Sequence, residues 1–243
     1  MEIIDKGILI SKFKYGESGL IAKIFMENHG VYTGMINGAM SAKKVNICQI
    51  SNLLDVIYKN KLDETLGYFK VEIKKSYINN FLHDKLKILM VYSCMELINN
   101  LILERENHNS LFYTTISFFE NISISNYLKW EMILLQEIGF ALSLDNCFFC
   151  NKKNDLAFIS PKTGKSACFT HGSSYKDKLF LMPDSLKNKY YLTNDIIEND
   201  ILLLNKILEF FIMKFIKENL NKFLYSRKNL TVALNKHYGG ELK

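Results

Sequence analysis

The sequence predicts an α+β protein of several domains, with a small N-terminal β-barrel, a helical domain after it and a cysteine-containing ribbon inserted into the helical part. Three observations predict this organisation. Glycines punctuate short apolar runs in the first third of the chain, and apolar residues recur at three- and four-residue steps from about residue 80. Paired Cys and His residues then bracket a polar stretch at 147–171. A chain of 243 residues has the length for such an arrangement.

Residues 1–79 are predicted to form the barrel. Seven of the twelve glycines fall in this part and separate short apolar runs. Asn28, His29 and Gly30 are typical of a hairpin connection, because Gly can adopt positive φ, and His29 is interpreted as a turn residue. Five short strands in so short a segment indicate an OB-fold, whose face and loops often bind single-stranded nucleic acid. The predicted strands are 7–14, 20–27, 31–37, 53–58 and 66–71.

Four lysines and a tyrosine are the candidate nucleic-acid contacts of the barrel. Lys12, Lys14 and Tyr15 lie at the end of the first strand, and Lys43 and Lys44 lie in a polar loop after the third. A groove that follows a nucleic-acid backbone needs cations for phosphates and aromatic rings for base stacking. Half-buried packing is the alternative role for Tyr15.

From about residue 80 the apolar period is helical. Helices are also predicted at 112–119 and at 127–138, where Gly139 follows. The first long helix carries one apolar stripe, formed by Leu82, Leu86, Leu89, Met90, Leu97, Ile98, Leu101 and Ile102.

A later helix is predicted to start at the Asp195-x-x-Glu198 pair and to reach about residue 218. Apolar residues surround most of its circumference, which indicates a central, buried helix. Residues 80–243 are therefore predicted to form one helical domain, with the ribbon inserted at about 145–178.

The ribbon sequence, CFFCNKKNDLAFISPKTGKSACFTH, has the spacing of a metal site. It reads Cys-x2-Cys, seventeen residues, and Cys-x2-His, with two strands and a turn predicted between the pairs. Cys147, Cys150, Cys168 and His171 could therefore bind one tetrahedral Zn2+. Four protein ligands leave no open position, so this ion would be structural. The alternative is that the four side chains only pack.

Composition points to a reducing compartment and a polyanionic partner. Three of five cysteines lie in the ribbon, so no disulfide framework is expected, and a cytoplasmic location is predicted. The acidic N-terminus does not resemble a signal peptide, and polar residues interrupt the apolar stretch 201–216, so no membrane span is expected. Positive charge is concentrated in residues 1–79, 147–178 and 206–243, with net values of +3, +4 and +5. Solvated lysine-rich faces are the alternative.

Catalytic signatures are missing from the sequence. It contains no Walker loop, no HExxH, no Gly-x-Ser-x-Gly and no zinc-deaminase motif. His83 and Asp84 are interpreted as a solvated helix terminus. A binding protein is therefore favoured over an enzyme.

Short segments spread in order along nearly the whole chain form a recognisable set. They are Gly7-Ile8-Leu9-Ile10, Tyr15-Gly16-Glu17-Ser18, His29-Gly30, Gly38-Ala39, Leu134-Leu135, Ile138-Gly139-Phe140, Leu142-Ser143-Leu144-Asp145, Ser160-Pro161, Gly164 and Ser226-Arg227. Together these segments resemble the bacterial recombination mediator family RecO. Two positions differ from the usual family pattern: Met40-Ser41-Ala42 precedes the lysines of a loop that is often Arg-rich, and His171 replaces a more usual Cys.

The resemblance implies an OB-fold, a helical bundle and a zinc-binding insertion. It also implies binding of single- and double-stranded DNA, annealing of complementary strands and help for RecA in replacing single-strand-binding protein, with no hydrolytic chemistry. RecR and the acidic tail of single-strand-binding protein would be the protein partners, at the nucleoid. Arg227, in the segment similar to the C-terminal helix of the family, is a further candidate DNA contact.

Two alternative functions stay open at this point. A zinc-ribbon protein associated with RNA or translation would prefer structured RNA to single-stranded DNA. A protein-protein adaptor would use the helical domain to hold partners and would bind no nucleic acid at physiological salt.

Overall fold

The computed structural model describes residues 1–41, 44–60, 66–220 and 223–239. The chain divides into two compact units, Met1–Ile122 with Leu224–Leu230, and Ser123–Phe223 with Thr231–Lys243. The predicted domain boundary near residue 79 stays a prediction, because compactness alone does not show which part can fold independently.

Five strands in the first unit form a closed barrel, which confirms the predicted OB-like fold. Neighbouring strands pair antiparallel, except that β3 pairs with β5 in parallel and closes the barrel. All five predicted strands are present, and the first begins five residues before its predicted start. The strands are β1 (Glu2–Tyr15), β2 (Gly19–Met26), β3 (Gly30–Ile36), β4 (Leu53–Lys59) and β5 (Gly67–Lys75), in the spatial order β1-β2-β3-β5-β4.

The length of β1 lets it pair with two neighbours. Its first half pairs with β4 from Glu2 to Ile8, and its second half pairs with β2 as far as Tyr15. The register with β2 shifts between Leu9 and Ser11. Such a bulge bends a strand and increases its twist, so β1 can follow the curvature of the barrel. Alternate residues of the strands fill the interior, including Leu9, Ile24, Met26, Leu54, Val56 and Phe69.

Two helices complete the main elements of the first unit, α1 (Lys85–Leu101) and α2 (Asn109–Glu120). The Asp84 carboxylate accepts hydrogen bonds from the N–H groups of Leu86 and Lys87, so the interpretation of His83-Asp84 as a helix terminus is confirmed. Leu82 lies before the helix and is exposed, so its place in the apolar stripe was wrong. The later part of the stripe is buried, including Met90, Leu97, Ile98, Leu101 and Ile102.

The second unit combines helices with a small sheet. Ser123 caps α3 by accepting from the N–H of Asn126, and Gly139 follows its end with φ of +81°. In chain order the elements are α3 (Ile124–Glu137), β6 (Leu156–Ile159), β7 (Ser166–Cys168), α4 (Phe169–Gly172), β8 (Phe180–Leu181) and α5 (Ile201–Asn219). A last helix, α6 (Tyr225–Tyr238), contributes residues to both units.

The helix α5 begins later than predicted. Residues Glu198–Asp200 form a 3-10 turn, and the buried Asp200 carboxylate accepts from the backbone N–H and the hydroxyl of Ser185, both at 2.6 Å. These bonds hold the segment before the helix in a separate turn. Most apolar residues of α5 are buried, as the sequence predicts. None of the helices in the described part of the chain combines the length and apolar character that crossing a bilayer requires.

Candidate metal centre and nucleic-acid contacts

Four side chains converge at one end of the ribbon. The ligand atoms of Cys147, Cys150, Cys168 and His171 all lie within 4.8 Å of one another. Sγ of Cys168 is 3.1 Å from Nδ1 of His171 and 3.9 Å from Sγ of Cys150. The structure thus brings together the four residues that the spacing singles out, and this Cys3His cluster could hold a metal ion.

The first Cys pair is held in a closed turn. The N–H of Cys147 donates to the Lys152 carbonyl at 2.8 Å, and the N–H of Asn151 donates back to the Cys147 carbonyl at 2.9 Å. Asn151 adopts φ of +58°, a left-handed conformation that Asn tolerates better than most residues. The turn therefore directs both thiols to the same side.

The second pair is positioned by strand β7 and helix α4. Cys168 pairs with Leu156 at the end of β7, and His171 lies three residues further along, in α4. A Cβ on Gly172 would lie 2.2 Å from the Phe158 ring, so only glycine fits here without displacing that ring. The imidazole of His171 also stacks on Phe149, with ring centroids 5.6 Å apart.

The electrostatics of the cluster favour a thiolate at Cys147 and not at Cys150. The backbone N–H of Lys152 lowers the pKa of Cys150, but burial and the neighbouring sulfurs of Cys147 and Cys168 outweigh it and raise this pKa. Burial raises the pKa of Cys147, but the backbone N–H groups of Cys168, Cys150 and Phe149 outweigh burial and lower this pKa to about 6. The thiolate is the form of cysteine that binds metal ions. The donor set and its geometry therefore suit a soft, tetrahedral metal ion with no open coordination position.

Two of the candidate lysines of the barrel meet at one loop. The ammonium group of Lys12 donates to the Cys48 carbonyl at 2.6 Å, and that of Lys44 donates to the Asn37 carbonyl at 2.9 Å. Burial raises the pKa of the Cys48 thiol, and the charges of Lys12 and Lys44 oppose this rise. Each ammonium group has three donors, so both retain capacity for phosphate oxygens.

The end of β1 carries exposed side chains of both required types. Lys14 and Tyr15 are exposed, as is Phe13 at 64%. Phe13 begins an outer row that continues across the sheet through Ile21, Met35 and Tyr68, each paired with the next. Phe13 and Tyr68 are not among the contacts that the sequence predicts. Strand alternation could have found Phe13, whereas the β3–β5 pairing that adds Tyr68 is non-local.

The two remaining candidate DNA contacts, Lys43 and Arg227, do not belong to the exposed end of β1. Lys43 lies outside the described residues. Arg227 is only 1% exposed, and its backbone N–H donates to the Glu96 carboxylate at 3.0 Å. A DNA contact by Arg227 stays a prediction, and its burial counts against it.

Comparisons with known proteins cover most of the chain. A family model described as recombination protein O N terminal matches residues 1–77, and one described as recombination protein O C terminal matches residues 82–212. A DNA repair protein RecO of Rickettsia bellii strain OSU 85-389 is 35% identical over 187 residues, and that of Rickettsia canadensis strain McKiel is 34% identical. Each alignment covers 75% of this chain and 77% of the relative. The chain therefore belongs to the recombination protein O (RecO) family of DNA repair and recombination proteins.

Proposed function

We propose that this protein is a non-enzymatic recombination mediator. It binds single- and double-stranded DNA, anneals complementary strands and assists RecA in loading onto DNA coated with single-strand-binding protein. Its protein partners are RecR and the acidic tail of single-strand-binding protein, and it acts at the nucleoid in the cytoplasm. Membership of the RecO family supports this role, since the named relatives are DNA repair proteins.

One observation carries the DNA-binding part of the proposal: the closed barrel places exposed cations and aromatic rings together on β1. Phe13, Lys14 and Tyr15 are consecutive at the end of the strand, and all three are exposed. The two rings lie on the outer face and Lys14 on the opposite face of the same strand end, because neighbouring residues of a strand alternate. Aromatic rings stack on bases of any sequence, and lysines neutralise phosphates, so a single strand that wraps around this strand end contacts both kinds of side chain without sequence preference.

Annealing follows from charge neutralisation. Two complementary strands repel each other through their phosphates, and cationic surfaces that bind both strands lower this repulsion. Rings that hold bases unstacked and separated would leave their pairing edges accessible. No bond in the DNA is made or broken, so the mediator needs no catalytic residues.

We further propose that the Cys3His cluster binds one structural Zn2+. A tetrahedral zinc ion sets sulfur and nitrogen ligands about 3.5 to 3.8 Å apart. Three separations between ligand atoms of the cluster are 3.1, 3.9 and 3.9 Å, and no two ligand atoms are more than 4.8 Å apart, so small shifts of the side chains would bring all four to these values. Zinc would reinforce the small apolar core of the ribbon, in which Leu156, Phe158 and Ile159 are buried.

The deciding experiment follows annealing of two complementary oligonucleotides coated with single-strand-binding protein, by fluorescence, across a salt series. The protein is expected to accelerate annealing, and the acceleration should fall steeply as salt rises. An acceleration of annealing that does not change with salt concentration would contradict the charge-neutralisation mechanism. Preference for structured RNA would favour an RNA-binding role, and the absence of any nucleic-acid binding would favour an adaptor.

A further inference from the structure

The ribbon carries an open groove that the metal cluster does not explain. Its volume is about 450 Å³. Besides His171, three aromatic side chains line it, Phe148, Phe149 and Tyr175, and they are 54%, 63% and 60% exposed. So many exposed rings in a small ribbon carry an unfavourable hydration cost unless a ligand covers them.

The rim of the groove is cationic. Lys162, Lys165 and Lys178 line it, and no carboxylate does so among the described residues. Nor do these three lysines form an ion pair with any part of the chain that the structure describes. Nζ of Lys165 lies 4.4 Å from the centroid of the Phe148 ring, so ring and cation share one surface.

We propose that this groove binds a segment of single-stranded nucleic acid, with bases stacked on the three rings and phosphates at the three lysines. Rings combined with cations are the arrangement that holds single strands without reading their sequence. The inference rests on the proposed DNA-binding function and adds a second contact site, in the second unit, to that on the barrel.

Backbone pairing argues against a peptide strand as the occupant. At the outer edge of β7, the N–H of Ser166 donates to the Ser143 carbonyl at 2.9 Å. The carbonyl of Ser166 accepts from the N–H of Phe148, also at 2.9 Å. These bonds occupy the groups that an added peptide strand would use. Base stacking requires no backbone partner, so rings and lysines suffice for a nucleic acid.

The metal cluster stabilises this surface. Phe149 stacks on His171 with an angle of 24° between the rings, so the ligand and the ring hold each other in place. A ring that is already ordered loses less conformational entropy when a base stacks on it. His171 itself lines the groove, so the metal centre fixes one wall of the surface on which the bases stack.

The test measures binding of fluorescein-labelled oligothymidylate to the full chain by anisotropy. Tyr175→Ala should weaken binding by about 5-fold or more, the effect of removing one stacked base. Lys162→Gln with Lys178→Gln should weaken binding and lower its salt dependence.

The matched control is Lys152→Gln with Lys153→Gln, two exposed lysines of the same ribbon that do not line the groove. The control should bind as the wild type does, and every variant should retain its metal content.

Each outcome decides the inference. Wild-type affinity in both groove variants, with binding by the wild type intact, would overturn the groove and leave the proposed function standing. Groove variants that lose binding of an acidic peptide but keep the oligonucleotide would assign the groove to a protein partner instead. A wild-type chain that does not bind the oligonucleotide would overturn the proposed function and the groove together.

Discussion

At the scale of single residues, two glycines with similar backbones have different surroundings. Gly16 and Gly30 adopt φ of +62° and +74°. A Cβ added to Gly16 would have no atom within 4 Å. A Cβ added to Gly30 would lie 1.8 Å from the carbonyl oxygen of Glu106. Gly16→Ala should therefore cost only the left-handed backbone strain, about 1 kcal/mol of unfolding free energy. Gly30→Ala should cost at least about 3 kcal/mol, because the backbone must also move. Urea denaturation measures both, and equal destabilisation would contradict this difference.

At the scale of elements, the proposed zinc ion would hold together a ribbon whose apolar core is small. Cys168→Ser and His171→Ala should each reduce bound zinc well below one equivalent in protein purified without added metal, and should expose the ribbon to limited proteolysis. Cys48→Ala is the matched control, because Cys48 is buried inside the barrel and outside the cluster. It should retain full zinc even if its stability falls. Full zinc in Cys168→Ser, or none in the wild type, would contradict the proposed structural metal.

At the scale of the whole molecule, the distribution of charge predicts how DNA affinity depends on salt. Lys14→Gln with Lys44→Gln should weaken single-strand binding and lower the salt slope by about 0.7 for each phosphate that is no longer neutralised. Lys74→Gln with Lys75→Gln removes the same charge from lysines already paired with Asp55 and Glu120, at 3.1 and 2.7 Å. That control should change the slope less. The two double variants are compared by measuring affinity from low to physiological salt. If both variants show the same salt slope, Lys14 and Lys44 are not part of the DNA-binding site.

Prediction from the sequence was most successful where the pattern is local. The five barrel strands, the end of α3 near Gly139 and the spacing of the metal ligands are each encoded within a few consecutive residues. The start of α5 was predicted too early, because Asp200 bonds to Ser185, fifteen residues away. The strand β8 was not predicted, because a segment of two residues is too short to show alternation of apolar and polar residues. Only its pairing with β6 makes it a strand.

Local patterns in the sequence therefore specify which elements form, in what order, and which four side chains have the chemistry of a metal site. Alternation, helical period and short ligand spacing all act over distances that the chain itself sets. Only the tertiary structure shows that β3 and β5 close the barrel and bring Tyr68 into the row that begins at Phe13. It also buries Arg227 and assembles the aromatic groove of the ribbon. These features depend on contacts between residues far apart in the chain, which packing selects and no local pattern encodes.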